Sequence, residues 1–329
     1  MTLRPVYGHE PLLNRLVGAL ASGRFPQAAL LTGPVGAGKQ RVALWVAQAI
    51  LCDQAAGTGK PCDQCQSCRL VAGLAHPDLH WFVPIPRPKA SEADKQIDEA
   101  AEALGEVMAA RRENPFYERP EGMVSHALAS IRLLQRRVSL TPFRSKRKVI
   151  LIGDAERLVV QEASQEAANA LLKVLEEPPA DTLILMTAAE PQALLPTIRS
   201  RLVPIRVPRI GNDAVRDFLS RELAPPLAGP ALERRVAAAQ GCIGRAALGD
   251  ADAGAADGEA GRLLEAVRAG PAAWSAKALK QGTWAARGDF TAMLDALALK
   301  LREGVRQGAA GTRVRGWTRA LARVEEIRT

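Results

Sequence analysis

Aromatic residues make up only 4% of this 329-residue chain, and Ala and Leu prevail in their place, a bias that favours helix. Long apolar runs are missing as well. No stretch of eighteen apolar residues occurs, which excludes a membrane-spanning helix of the usual kind. Met1-Thr2-Leu3-Arg4-Pro5 lacks the apolar core of a signal segment, and the expected location is cytoplasmic. Acid is in short supply: 44 Lys and Arg face 35 Asp and Glu, a net charge of +9 that suits a polyanionic partner or a merely basic surface. There is no internal repeat. At 24% charged and 47% hydrophobic the composition is that of a globular protein, long enough for two or three domains.

What is present centres on residues 28–49. Ala28-Ala29-Leu30-Leu31-Thr32 is a short apolar run of the length of a buried parallel strand, followed by Gly33-Pro34-Val35-Gly36-Ala37-Gly38-Lys39-Gln40 and a helical pattern through Val42, Val46 and Ala49. Strand, glycine-rich loop and helix in that order are the setting of a phosphate-binding loop. Gly33, Gly36 and Gly38 let backbone N–H groups turn inward, and Lys39 is placed to reach terminal phosphates at the positive end of a helix. The eighth position normally carries Ser or Thr, whose hydroxyl ligates Mg²⁺, and here it is Gln40. The loop is fit for a phosphate and lacks the part that positions the metal.

Cysteine is scarce, with five in the chain, yet four of them crowd together as Cys52, Cys62, Cys65 and Cys68. The C-x₉-C-x₂-C-x₂-C spacing suits tetrahedral zinc, because adjacent x₂ pairs can present their sulfurs to one ion. Disulfides are disfavoured in a cytoplasmic chain. With four thiolates and no position left for water, the expected site is structural. His76 and His80 are read as structural too, and Cys242 as a small core residue.

Further signals follow in order. Pro11 to Ser22 has the pattern of an amphipathic helix, and Leu79 to Val83 that of a second strand. Residues 84–123 look like an insertion, with a stiff Pro84-Pro86-Pro88 entry, a helix through Ile97, Ala101, Leu104, Val107 and Met108, and turn chemistry at Arg119-Pro120-Glu121-Gly122. Ile131 to Ser139 is a helix with a basic face, and Arg144, Lys146, Arg147 and Lys148 follow in the next loop; such a cluster is either a solvated face or a contact for a DNA backbone. Val149 to Asp154 is a third strand, and an Asp at its end is where Mg²⁺ is normally held. The Glu that would polarise water directly after it is replaced by Ala155. Glu156 comes one residue late, and on an extended backbone it would point away. Ala163 to Glu177 reads as a helix and Thr182 to Thr187 as a strand; a short helix, Gln192 to Ile198, then leads to Ser200-Arg201 and a strand at Val203 to Val207. Asp213 to Arg221, Pro230 to Ala239 and Arg245 to Leu248 have helical patterns. Asp250 to Gly261 resembles a linker, and Arg262 to Thr329 is helical through Leu263, Leu264, Val267, Phe290, Leu294, Leu297 and Leu301.

The loop Gly33 to Lys39, the cysteine quartet, Lys148 to Leu158, Asn169-Ala170-Leu171-Leu172-Lys173-Val174-Leu175-Glu176-Glu177-Pro178-Pro179 and Ser200-Arg201 stand in the order and spacing of bacterial clamp-loader AAA+ proteins, and the chain resembles that family from about Gly8 to Arg245. Leu202 departs from the family's Cys after Ser-Arg, a change of packing that leaves Arg201 in place. The resemblance implies an AAA+ α/β domain over 1–207, with a parallel five-stranded sheet in the order 5-1-4-3-2, a zinc module at 52–68 and the insertion at 84–123. A helical lid over 208–249 and a helical collar over 250–329 would follow. It implies nucleotide-site positions at Gly33, Gly36, Gly38, Lys39, Gln40 and Asp154, and a phosphate-sensing position at Arg245, with an ordinary basic residue on a lid helix as the alternative. Arg201 would be an arginine finger acting in trans on a neighbour's ATP.

The implied function is a structural, non-hydrolysing subunit of the sliding-clamp loader of the DNA polymerase III holoenzyme, with zinc as cofactor and ATP turnover not expected even if ATP and Mg²⁺ bind. Implied partners are the motor subunits and the delta subunit, with the sliding clamp and primer-template DNA reached through the complex. The competing reading is an active AAA+ motor subunit, against which Gln40 and Ala155 speak. A plain zinc-stabilised DNA-binding protein would leave Lys39, Asp154 and Arg201 without a role.

Overall fold

The computed structural model describes residues 3–55, 57–114, 124–158, 165–223, 227–247, 250–270, 297–298, 300–301, 318–320 and 322–323. Among them the strands are β1 (Ala28–Thr32), β2 (Leu79–Phe82), β3 (Ile85–Pro86), β4 (Val124–Ser125), β5 (Lys148–Ile152), β6 (Thr182–Ala188) and β7 (Val203–Arg206). The helices of the first part are α1 (Glu10–Ala21), α2 (Lys39–Leu51), α3 (Gln66–Ala72), α4 (Ala93–Glu113), α5 (Leu128–Ser139), α6 (Gln165–Glu176) and α7 (Pro196–Arg199). Four more follow: α8 (Asn212–Glu222), α9 (Gly229–Ala239), α10 (Ile243–Ala247) and α11 (Asp250–Ala269).

Five strands form one parallel sheet in the order β2-β5-β6-β1-β7. Counting only its own strands, that is the expected 5-1-4-3-2. Central strands buried on both faces read as unbroken apolar runs, which is why β1, β5 and β6 are legible in sequence. Their residues alternate between two cores. Leu30, Ile150, Ile152, Ile184 and Met186 meet α4, α5 and α6 on one face. Leu31, Val149, Leu151, Leu183 and Leu185 meet α1 and α2 on the other. Burying each such side chain contributes about 1.5–3 kcal/mol.

The insertion is bracketed by an antiparallel ribbon that the sequence did not suggest, Ile85 and Pro86 against Ser125 and Val124. Its helix α4 lays Ile97, Ala100 and Leu104 into the first core. The turn at Arg119–Gly122 lies outside the described residues, as do Ala163, Phe290 and Leu294.

The chain divides into two compact units, Met1–Ala247 and Leu248–Thr329. Helices α8 to α10 sit within the first, around their own small core of Val215, Phe218, Leu219, Val236 and Ala246. Tyr7 closes that core by setting its ring edge-on to Phe218 and donating its hydroxyl to Glu222 Oε1 at 2.6 Å. In the second unit the expected linker is a correction. Asp250 to Gly261 lies within α11. Alanine is the best helix former, and the five alanines of that stretch outweigh its three glycines, Gly254, Gly258 and Gly261, at about 1 kcal/mol each. Ala260 of this helix packs with Leu297 and Leu301, while Val267 is exposed.

Two histidines are enclosed without a counter-charge adequate to keep them protonated. Burial pushes His126 down to about 4, and burial with the nearby Arg137 pushes His80 to the same level. An unfolded histidine titrates near 6.5. Between those values the unfolded chain binds more protons, so stability is complete above about pH 6.5 and falls as the pH drops toward 4. We expect the melting temperature to fall by several degrees between pH 7.5 and 5.5, and His126→Gln to shrink that fall. Thermal melts of both proteins across this range check it; equal slopes would refute the assignment to His126.

Candidate functional site

The phosphate-binding loop leaves the C-terminal end of β1 and enters α2 through Gly38, whose φ of 87° is left-handed. Two glycines are required by crowding as well. A Cβ on Gly33 would stand 2.1 Å from the Val207 carbonyl oxygen, and one on Gly244 would stand 2.8 Å from Gly36 Cα. Gly244 N–H donates to the Gly36 carbonyl at 2.9 Å, which seats the start of α10 directly on the loop. Cys242 is fully buried in this contact, and the Arg245 backbone nitrogen lies 3.1 Å from where a Gly36 Cβ would be. From the other side His9, also buried, bonds through Nε2 to the Ala37 carbonyl at 2.8 Å.

The loop is closed by its own groups. Lys39 is buried, and its ammonium donates to the Gly33 and Pro34 carbonyls at 2.9 Å each. These carbonyls stand in the place of phosphate oxygens for that cation. Gln40 lies over Gly153, where an added Cβ would be only 2.9 Å from its Nε2. Its Oε1 faces Arg111 Nη1 at 3.4 Å. Arg111 reaches in from α4, buried, with its guanidinium 3.9 Å above the Trp81 ring. A carboxamide braced by a buried cation is a poor ligand set for Mg²⁺: it offers no hydroxyl, and the guanidinium repels a second positive charge. The residues at this position do not fit the metal.

Asp154 closes the same end of β5. Its φ of 49° breaks the strand, and its N–H donates to Thr187 Oγ1 at 3.1 Å. The next four residues, Ala155–Leu158, form a 3₁₀ turn. The expectation that Glu156 points away is therefore overturned, because the alternation of an extended chain does not survive a left-handed residue and a helical turn. Glu156 accepts the Ala189 N–H at 3.2 Å and is held above the usual carboxylate range by burial and then by the charge of Asp154, with Lys39 pulling the other way. Its second oxygen is buried without a hydrogen-bond partner. His126 supports this corner from below through Nε2 to the Gly153 carbonyl at 2.8 Å. Sequence reasoning missed His9, Arg111 and His126, since nothing local marks a residue that reaches a loop from another element.

The cysteines sit at the opposite end of α2, about 20 Å from Lys39 for a helix of this length. Their four sulfurs all lie within 4.8 Å of one another, with Cys62 to Cys68 at 3.9 Å and Cys65 to Cys52 at 3.8 Å. A tetrahedron of sulfurs about 2.3 Å from a central ion has edges of about 3.8 Å, so the donor set fits one metal ion without rearrangement. Backbone N–H groups of Gln64 and Cys65 bring Cys62 down to about 7, while burial raises Cys52 and Cys68. Around the quartet, Ser67 Oγ donates to Asp53 at 2.7 Å and Gln48 to Asp63 at 3.0 Å.

Arg201 is not drawn to the loop. It follows α7 and pairs with Glu176 at the end of α6, at 2.6 Å, while its other amine donates to the Thr197 carbonyl at 2.8 Å. About a third of its side chain stays exposed.

Residues 8–211 match the model of a protein family described as DNA polymerase III, delta subunit. Among curated proteins the chain is similar to the DNA polymerase III delta′ subunit of Pseudomonas aeruginosa, 34% identical over 215 residues, 65% of this chain and 52% of the relative. The delta′ subunit of Escherichia coli is 30% identical over 192 residues (58% and 45%), and that of Bacillus subtilis 27% over 218 residues (66% and 53%). The chain thus spans about half the length of the curated relatives it matches. With more than half of its residues under the family model, the chain belongs to the DNA polymerase III delta subunit family, and the three relatives above carry the name DNA polymerase III subunit delta′.

Proposed function

We propose that this chain is a structural subunit of the sliding-clamp loader that does not hydrolyse ATP itself and supplies Arg201 to a neighbouring motor subunit. The observation that supports it best is the closed loop: Lys39 is held by the Gly33 and Pro34 carbonyls, and Gln40 with Arg111 stands where a metal would be positioned. The ring neighbours in this reading are motor subunits and the delta subunit, and clamp and primer-template DNA are engaged through the assembly. Domain roles follow the same reading, with a lid at 208–249 and a collar at 250–329.

A guanidinium is planar and always charged, which suits it to the charge spreading over a transferred phosphoryl group. Arg201 is partly exposed and bound to Glu176, an exposed pair of the kind worth little by itself, so leaving it for a neighbour's phosphate costs little. Its removal in an assembled loader should slow DNA- and clamp-stimulated hydrolysis roughly tenfold, less than the full effect of a finger because other sites keep theirs. Arg201→Ala assembling normally with a wild-type rate would end this assignment.

One observation favours the second reading, an active motor subunit: Glu156 is half-buried beside Asp154 within the field of Lys39. Turnover by the purified chain separates the two. The structural reading expects no Mg²⁺-dependent hydrolysis above that of Lys39→Ala, whereas turnover that Lys39→Ala abolishes and Glu156→Gln reduces would establish the motor.

The ion fitted by the four cysteines is, in this proposal, zinc in a structural role. Four thiolates fill its coordination, and binding is coupled to local folding. Elemental analysis should find one zinc per chain, and Cys65→Ser should lose it together with resistance of residues 52–72 to proteolysis. Unchanged metal content in that variant would contradict it.

A further inference from the structure

The insertion brings a charge to the phosphate-binding loop from a helix position that is otherwise apolar. Ile97, Leu104 and Arg111 are all buried and follow one another at about two turns of α4, so they share one face of the helix. The first two enter the core of the sheet. At the third step a guanidinium takes the place of an apolar side chain, 3.9 Å above the Trp81 ring and 3.4 Å from Gln40 Oε1.

The surroundings fix it there. Arg112, the next residue, donates to the Leu74 carbonyl at 2.8 Å, and the Asn114 N–H closes the helix on the Ala110 carbonyl at 2.8 Å. Trp81 pairs in register with Leu151 of β5, and the carbonyl of Phe82 beside it accepts the Gly153 N–H at 2.8 Å. The ring under Arg111 is thus tied to the strand that ends at Asp154.

Gln40 alone does not account for the misfit to a metal. A carboxamide oxygen is an ordinary ligand for hard divalent cations, so Gln in place of Ser or Thr still leaves a donor. Arg111 removes that donor, because its Nη1 faces the Oε1 and sets a permanent positive charge beside it. Stacked on an aromatic ring away from water, the charge is weakly screened. A divalent cation entering this corner meets it as repulsion.

We propose that Arg111 is the specificity-determining residue of the nucleotide site: a fixed cation, carried by the insertion, that excludes metal-bound nucleotide, with Gln40 secondary to it. The inference rests on the reading above, that the site does not turn over ATP, and adds which residue enforces it.

The test is isothermal titration of the full chain with Mg²⁺–ATP and, separately, with ATP in excess EDTA. The variants are Gln40→Thr, Arg111→Met, and Gln40→Thr combined with either Arg111→Met or Arg111→Lys. Methionine keeps an unbranched apolar stem against Trp81 and drops the charge. Gln40→Thr should stay as inert toward Mg²⁺–ATP as the wild type, although the hydroxyl is restored. Arg111→Met alone should gain binding through Gln40 Oε1, and the Gln40→Thr, Arg111→Met pair should bind roughly tenfold or more tightly than Gln40→Thr. Combining Gln40→Thr with Arg111→Lys should stay inert, since the charge is kept. Circular dichroism establishes that each variant is folded, and Gln40→Thr leaves the packing of Arg111 untouched, so it tests the proposal even where an Arg111 variant unfolds. Mg²⁺–ATP binding by Gln40→Thr alone would overturn the proposal. So would a folded Gln40→Thr, Arg111→Met pair that stays inert, or equal affinity with lysine and with methionine at 111. Wild-type binding of ATP in EDTA that Arg111→Met abolishes would make Arg111 a phosphate ligand and overturn it too, while leaving the absence of turnover standing. Only Mg²⁺–ATP binding by the wild type, lost in Lys39→Ala, would remove that underlying reading together with the proposal.

Discussion

Two glycines touching decide how the first unit of this molecule is arranged. Gly36 lies in the phosphate-binding loop and Gly244 at the start of α10, and no Cβ fits at Gly244 because Gly36 Cα would be 2.8 Å away. The hydrogen bond from Gly244 N–H to the Gly36 carbonyl holds the small helical core on the loop. Lys39 completes the closure from inside by bonding to the Gly33 and Pro34 carbonyls. A loop of this kind ordinarily has its N–H groups and its ammonium organised by a bound phosphate. Here the chain supplies partners of its own, so the loop is shaped without a ligand.

The same economy governs the corner around Gly153. A strand end, a carboxamide, an imidazole and a guanidinium converge there: Gln40 lies above the glycine, His126 bonds to its carbonyl, and Arg111 arrives from the insertion helix stacked on Trp81. At the position where a Ser or Thr hydroxyl would ligate a divalent cation, the chain carries a carboxamide braced by a guanidinium. Keeping His126 neutral in that position is a cost that burial imposes on the group, and it links this corner to pH.

Much of this was legible in the sequence where it depended on local pattern. Continuous apolar runs gave β1, β5 and β6, and the family resemblance supplied the strand order. Cysteine spacing gave the donor set, because x₂ pairs fix where neighbouring sulfurs can go. What stayed hidden depended on the third dimension. Arg111 looks like one more charge near the end of a polar helix, and His9 like a residue before a helix cap. The misjudged direction of Glu156 has a single cause, the left-handed Asp154, which resets the chain before the alternation rule can apply. The misread stretch at 250–261 shows the opposite error: its composition of Ala, Gly and Asp suggested a linker, although alanine outweighed glycine in setting the backbone.

The central claim is that protein groups occupy the metal's position beside the phosphate-binding loop. Manganese can stand in for magnesium and reports its environment by electron paramagnetic resonance, so the purified chain can be titrated with Mn²⁺ and ATP. The account predicts only the spectrum of free Mn²⁺–nucleotide at every protein concentration. A protein-bound Mn²⁺ signal that requires ATP and disappears in Lys39→Ala would contradict it.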